Sequence, residues 1–260
     1  MSGYILCRIK RAQHPYFVEN ISTNIYSIEE LCYYLHNNLY LIDQTIVNEE
    51  LCDWIENELE LKKLADKLRN AIDKFSGIED VVYPIIKEIN YLSYEELKEL
   101  NIKLAAMDKE DPLLGQKQKA DALVENKMYV HAIEIYQDIL KNQDLETIRE
   151  GLTENIYHNL GCAYSYMFQM RKATECFKNA YELNKSQKAL ETYLIAFGTT
   201  RNADEYEKLT LSLGVDEQTA NNIRSRLKEF ADSMSPLAED ENIDNTLSRL
   251  TREYHRSTGS

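Results

Sequence analysis

Two matched pairs of small residues constrain this chain more than any other feature. Gly161 and Ala173 stand twelve residues apart, and Ala120 and Ala132 repeat that interval forty-one residues upstream. Each pair lies inside an apolar pattern of helical period. Tyr157, Leu160 and Tyr164 surround Gly161; Phe177 and Ala180 follow Ala173; Leu123 follows Ala120; Tyr136 and Ile139 follow Ala132. Small side chains at matched positions let two antiparallel helices approach closely, while large ones fill the space around the crossing. A chain with this spacing is held to helical hairpins.

Helix starts and stripes extend that expectation along the sequence. Ser27-Ile-Glu-Glu30 and Ser93-Tyr-Glu-Glu96 read as capping boxes. Asp111-Pro112 and Ser235-Pro236 set a capping oxygen before a proline at the first helical position. Stripes follow at Ile28, Leu31, Cys32, Leu35 and Leu39, then from Leu61 to Phe75, at Val82, Ile85, Ile86 and Ile89, and at Leu97, Leu100 and Leu104. Further stripes run through Leu190, Tyr193, Leu194 and Phe197, then Tyr206, Leu209 and Leu213, and from Ile223 to Tyr254. Eight Gly and four Pro in 260 residues leave few tight turns, which argues against a β-rich chain. The expectation is an all-α fold in three parts. Residues 1–26 form an N-terminal arm with a short strand at Tyr4–Ile9, 27–110 a helical region, and 111–260 a hairpin domain ending in capping helices.

The segment from Tyr157 to Ala180 resembles the tetratricopeptide repeat (TPR), and Ala120 to Ile139 repeats its spacing. The offset of forty-one exceeds the family period of about 34 by two helical turns. That surplus is assigned to Asp144–Gly151, where it lengthens the helix entering the second repeat. A third, degenerate repeat ends at Gly214, so the resemblance spans about 112–214. It implies a right-handed solenoid whose first helices line a groove for an extended peptide or a helix of another protein. By motif position that groove would show Lys117, Asp121 and Val124 in the first repeat. In the second it would show Asn155, His158, Asn159, Cys162, Ser165 and Tyr166. Lys117 and Asn159 match two positions of the clamp that holds chaperone C-termini in this family. Asp121 replaces an Asn, and Ala189 to Tyr193 supplies neither of the required cations.

Nothing catalytic or metal-binding emerges. The chain has no Gly-rich phosphate loop, no H-E-x-x-H and no Cys/His cluster at ligand spacing, so no cofactor or metal is expected. The net charge of −14 argues against a nucleic-acid partner. The longest uncharged run, Asn155–Met170, is shorter than the ~20 apolar residues of a membrane span. Five cysteines, an odd number, with no C-x-x-C pair and an unsignalled N-terminus point to a reduced cytoplasmic chain. The first expectation is therefore a non-catalytic scaffold, adaptor or chaperone-like module. The alternative is a peptide-responsive transcription regulator with a helix-turn-helix near the N-terminus, but Tyr26–Glu60 holds no Lys or Arg for phosphates.

Overall fold

The computed structural model describes residues 10–72, 77–141, 151–233 and 243–258. Among them are thirteen α-helices and one two-stranded sheet, so the all-α class stands. The expected strand at Tyr4–Ile9 and the cap at Ser235-Pro236 lie outside the described residues. The chain divides into two compact units, Met1–Met128 and Tyr129–Ser260.

The described part of the first unit begins with a β-hairpin, within the span expected to form an arm packed on the helices. β1 (Tyr16–Val18) pairs antiparallel with β2 (Thr23–Ile25), with Tyr16 opposite Ile25. Burial alternates along β1, so Tyr16 and Val18 enter the core while Phe17 faces out. The turn between the strands is a single 3-10 turn closed by Ser22 at φ 48°, a local geometry without the Asn-Gly or Gly-Gly signal that marks hairpins in sequence. Further bonds fix the hairpin. The Glu58 carboxylate accepts the backbone N–H groups of Gln13 (2.8 Å) and His14 (3.1 Å), Trp54 Nε1 donates to the His14 carbonyl, and the Tyr16 hydroxyl donates to Ile46.

Six helices complete this unit: α1 (Ile28–Asn37), α2 (Glu49–Asn57), α3 (Lys62–Ile72), α4 (Glu79–Glu88), α5 (Tyr94–Met107) and α6 (Pro112–Glu125). Their starts follow the caps read in the sequence. At α5 both bonds of the box form between Ser93 and Glu96. At α1 the Ser27 hydroxyl caps Glu30 N–H, but the Glu30 carboxylate reaches one residue further back, to the N–H of Tyr26. One continuous core runs from Ala12 to Leu104 and includes Ile28, Leu31, Leu35, Leu51, Ile55, Leu64, Leu68 and Ile85. Arg69 on α3 binds Glu49, Asp53 and Glu56 of α2, closing that hairpin from outside.

The boundary between units falls after α6, not at the expected 110/111. Two bonds explain why α6 belongs with the first unit: Lys119 Nζ donates to Asp43 (2.8 Å), and Asn126 donates to the side chain of Asn38 (2.7 Å). The second unit contains α7 (Tyr129–Lys141), α8 (Leu152–Tyr166), α9 (Met170–Asn184), α10 (Gln187–Thr200), α11 (Ala203–Ser212), α12 (Glu217–Ser233) and α13 (Ile243–Thr258). Here α7 packs on α8, α8 on α9, α9 on α10, and α10 on both α11 and α12. The surplus assigned to Asp144–Gly151 lies outside the described residues except for Gly151, the left-handed N-cap of α8 (φ 86°). The two helices expected to cap the C-terminal end differ in burial. Ile223 of α12 is buried with Leu194 and Tyr206, whereas Leu247 and Leu250 of α13 stay exposed.

Candidate docking cleft

Ala120, Ala132, Tyr136, Leu160, Gly161, Tyr164, Ala173, Phe177 and Ala180 are buried, and Tyr157 is half-buried. Gly161 is the tightest point: a Cβ there would stand 2.6 Å from the Phe177 ring. No side chain larger than hydrogen fits between α8 and α9 at this crossing without displacing that ring. Gly198 plays the same part further along, since a Cβ there would meet Leu227 at 2.5 Å. The sequence pattern did not single out Gly198, because its partner helix α12 lies beyond the recognisable repeats.

The expected groove residues separate by unit. Lys117 and Asp121 belong to the first, where they form an ion pair one turn apart on α6 and satisfy each other. Val124 is half-buried on the same helix. The others lie on α8 in the second unit, and several turn their polar groups inward. The Asn155 amide donates to the carbonyl of Gly151, and the Ser165 hydroxyl to that of Gly161, so each binds its own helix backbone. His158 tilts against Phe177 at 5.6 Å, and burial, with Lys188 nearby, lowers its pKa. Cys162 is half-buried, and burial raises its thiol pKa. Tyr166 stacks flat on Tyr129, ring centroids 4.9 Å apart. Asn159 is half-buried on the same helix.

An open cleft of about 620 Å³ lies beside this face. Ser165 at the end of α8, Phe168 and Met170 at the α8–α9 turn, Ile195 and Thr199 of α10, and Arg226 and Leu227 of α12 form its walls. Its surface is predominantly apolar, and Arg226 is its single charged lining residue. Phe168 is 90% exposed, the most exposed large apolar side chain among the described residues. Of the residues expected in a groove, only Ser165 reaches this cleft. Sequence reasoning passed over the rest because Phe168 lies in a turn and Met170 at the first position of α9, while Ile195 and Leu227 look like core positions of ordinary amphipathic helices.

Among the described residues no group of His, Cys, Asp or Glu is arranged to hold a metal ion, and no helix is long and apolar enough to cross a membrane. Cys32, Cys52 and Cys176 are buried free thiols whose pKa burial raises, to about 12 for Cys32 and Cys176 and about 11 for Cys52. Such thiols are poor nucleophiles, because the reactive thiolate is suppressed. Compared with known proteins, the chain matches no family model, no curated protein and no solved structure.

Proposed function

We propose that this chain is a non-catalytic, protein-binding module of the TPR type, working in the cytoplasm, and that its second unit docks a peptide or helix of another protein. The cleft carries this reading. Three alternate helices, α8, α10 and α12, supply five of its seven lining residues, with Phe168 and Met170 at the α8–α9 junction, much as the first helices of successive hairpins line a groove in a repeat solenoid. A large apolar depression that stays open is unusual on a monomer surface and marks an interaction site. The exclusion of any side chain at Gly161 supports the hairpin geometry that the repeat requires. The unpaired thiols support a reducing compartment.

A display library of random peptides panned against the full chain tests the reading. Enriched peptides are expected to lose binding at least about tenfold in Thr199→Trp, which fills the cleft from an exposed position. Melting temperature should stay at the wild-type value in that variant. An empty selection, or peptides that bind Thr199→Trp and Phe168→Ser as well as wild type, overturns it.

A further inference from the structure

The surroundings of the cleft have the opposite sign from the chain. Net charge is −14, yet the charged residues lining the cleft and the depression that shares Phe168 and Met170 with it are Arg171, Lys172 and Arg226, with no carboxylate among them; a third depression, which meets the second at Arg171 and Thr200, adds Lys178, Arg201 and Glu175. Lys178 is offset by Glu182 at 3.6 Å and Arg201 by Glu205 at 3.9 Å. Lys172 lies over the Tyr164 ring. Arg171 and Arg226 are exposed and make no ion pair among the described residues. A cationic rim on an acidic protein attracts one kind of partner and repels the other.

Phe168 adds an independent observation. Four helices in the described residues end in the same two-bond turn, with a left-handed residue donating three back and its successor five back. The left-handed residues are Asn90, Lys127, Phe168 and Gly214. Glycine or a polar residue is the usual occupant, because a large side chain at positive φ is strained. At the corresponding place of the earlier repeat stands Lys127; here stands a phenyl ring, at φ 57° and in solvent. The ring contributes nothing to a core and occupies a backbone position that disfavours it. Such a residue is retained for something other than folding.

We infer that the cleft takes an acidic amphipathic segment of a partner protein. Its apolar side chains enter between Phe168, Met170, Ile195 and Leu227, and flanking side-chain carboxylates meet Arg171 and Arg226. The inference rests on the docking function proposed above and adds the partner's chemistry to it. The chain's own α13, with exposed Leu247 and Leu250, is the wrong occupant, since Arg249 and Arg252 beside them would face a cationic rim.

The probe is an acetylated, amidated helical peptide of about 16 residues, with leucines at i, i+3, i+4 and i+7 and Glu or Asp elsewhere. Amidation removes the terminal carboxylate, so only side chains supply charge. Fluorescence anisotropy with the full chain should show binding that weakens at least about tenfold when Lys replaces the acidic residues. Arg171→Glu with Arg226→Glu should invert that preference. Phe168→Gly should weaken binding about tenfold while its melting temperature holds or rises, because glycine relieves the left-handed strain. A Lys-bearing probe that binds wild type as tightly, or failure of the acidic probe while library-selected peptides occupy the cleft, overturns the acidic partner and leaves docking standing. A fall in melting temperature for Phe168→Gly overturns the role given to that ring.

Discussion

The two units spend their apolar residues differently. In the first, strands and helices converge on one continuous core, and residues such as Leu31, Leu35, Leu64 and Leu68 are wholly shielded. In the second, helices pack each on the next, and Val130, Tyr166, Phe168, Leu183, Leu211, Leu247 and Leu250 are exposed, against Phe17, Tyr33, Tyr94 and Ile102 in the first. Converging elements can bury nearly everything, whereas a row of hairpins leaves faces along its length uncovered. Under the function proposed above, the second unit is the part that binds. Uncovered apolar area costs stability in the free chain and is recovered when a partner covers it.

The contrast breaks most decisively in the first unit. Leu35→Ala removes a fully buried side chain where helices close on all sides, and should destabilise that unit by about 2–5 kcal/mol. Trp54, the sole tryptophan, lies in the same core and reports this unit's unfolding by fluorescence. A midpoint in urea shifted by less than about 1 kcal/mol would mean the core relaxes freely and is not the rigid part claimed.

In the second unit the sensitive point is a crossing rather than a core. Gly161→Leu and Ala173→Leu should each cost about 1–3 kcal/mol, read as a lower midpoint by far-ultraviolet circular dichroism. The Phe177 ring that a Gly161 Cβ would meet at 2.6 Å is the cause, so trimming the ring in Gly161→Leu/Phe177→Ala should restore part of the loss. Gly115 is the control. It also sits inside a helix, but a Cβ there meets nothing nearer than 3.8 Å. Gly115→Ala should stabilise by about 0.5–1 kcal/mol, through the lower backbone entropy of the unfolded chain. Equal effects at the two glycines would erase the distinction between a tight crossing and an ordinary helix.

How far the sequence could be read follows the same division. Helices and their caps were legible because period and capping are local, as Ser27, Ser93 and Asp111 illustrate. Close packing at Gly161 and Ala173 was legible because a repeated interval carries it. The β-hairpin was not, since its pairing depends on a left-handed Ser22 and on Glu58, forty-four residues from His14. Nor was the assignment of α6 to the first unit, which rests on the pairing of Lys119 with Asp43, seventy-six residues away. The face proposed above for docking shares only Ser165 with the positions read from the motif. Motif positions lead to α8, but its polar side chains close onto their own backbone, and the open surface begins where the helix ends.

A smaller effect comes from pH. Burial is the main cause, with Lys188 second, of a His158 pKa below the ordinary 6.5. The unfolded chain then binds this proton more tightly than the folded one. The contribution to stability is complete above about pH 6.5 and is lost as the pH falls through that value toward the folded pKa. Midpoints measured by circular dichroism from pH 7.5 downward should therefore decline more steeply for wild type than for His158→Gln, with the difference opening at about pH 6.5. Parallel curves would place His158 in water rather than against Phe177.

The smallest expected effect is the sharpest statement of the contrast. Leu247 and Leu250 lie one turn apart on α13 and are 62% and 50% exposed. Replacing a leucine in the first core costs several kcal/mol because surrounding atoms lose their contacts and a cavity remains. At Leu247 and Leu250 most of the side chain already touches water, so Ser at both should leave the midpoint within about 0.5 kcal/mol of wild type. Solubility should rise, because an apolar stripe has been removed from a surface. A loss above about 1 kcal/mol would mean that α13 covers apolar area of the second unit after all. That unit would then be closed like the first, and the difference between them would shrink to the cleft beside Phe168.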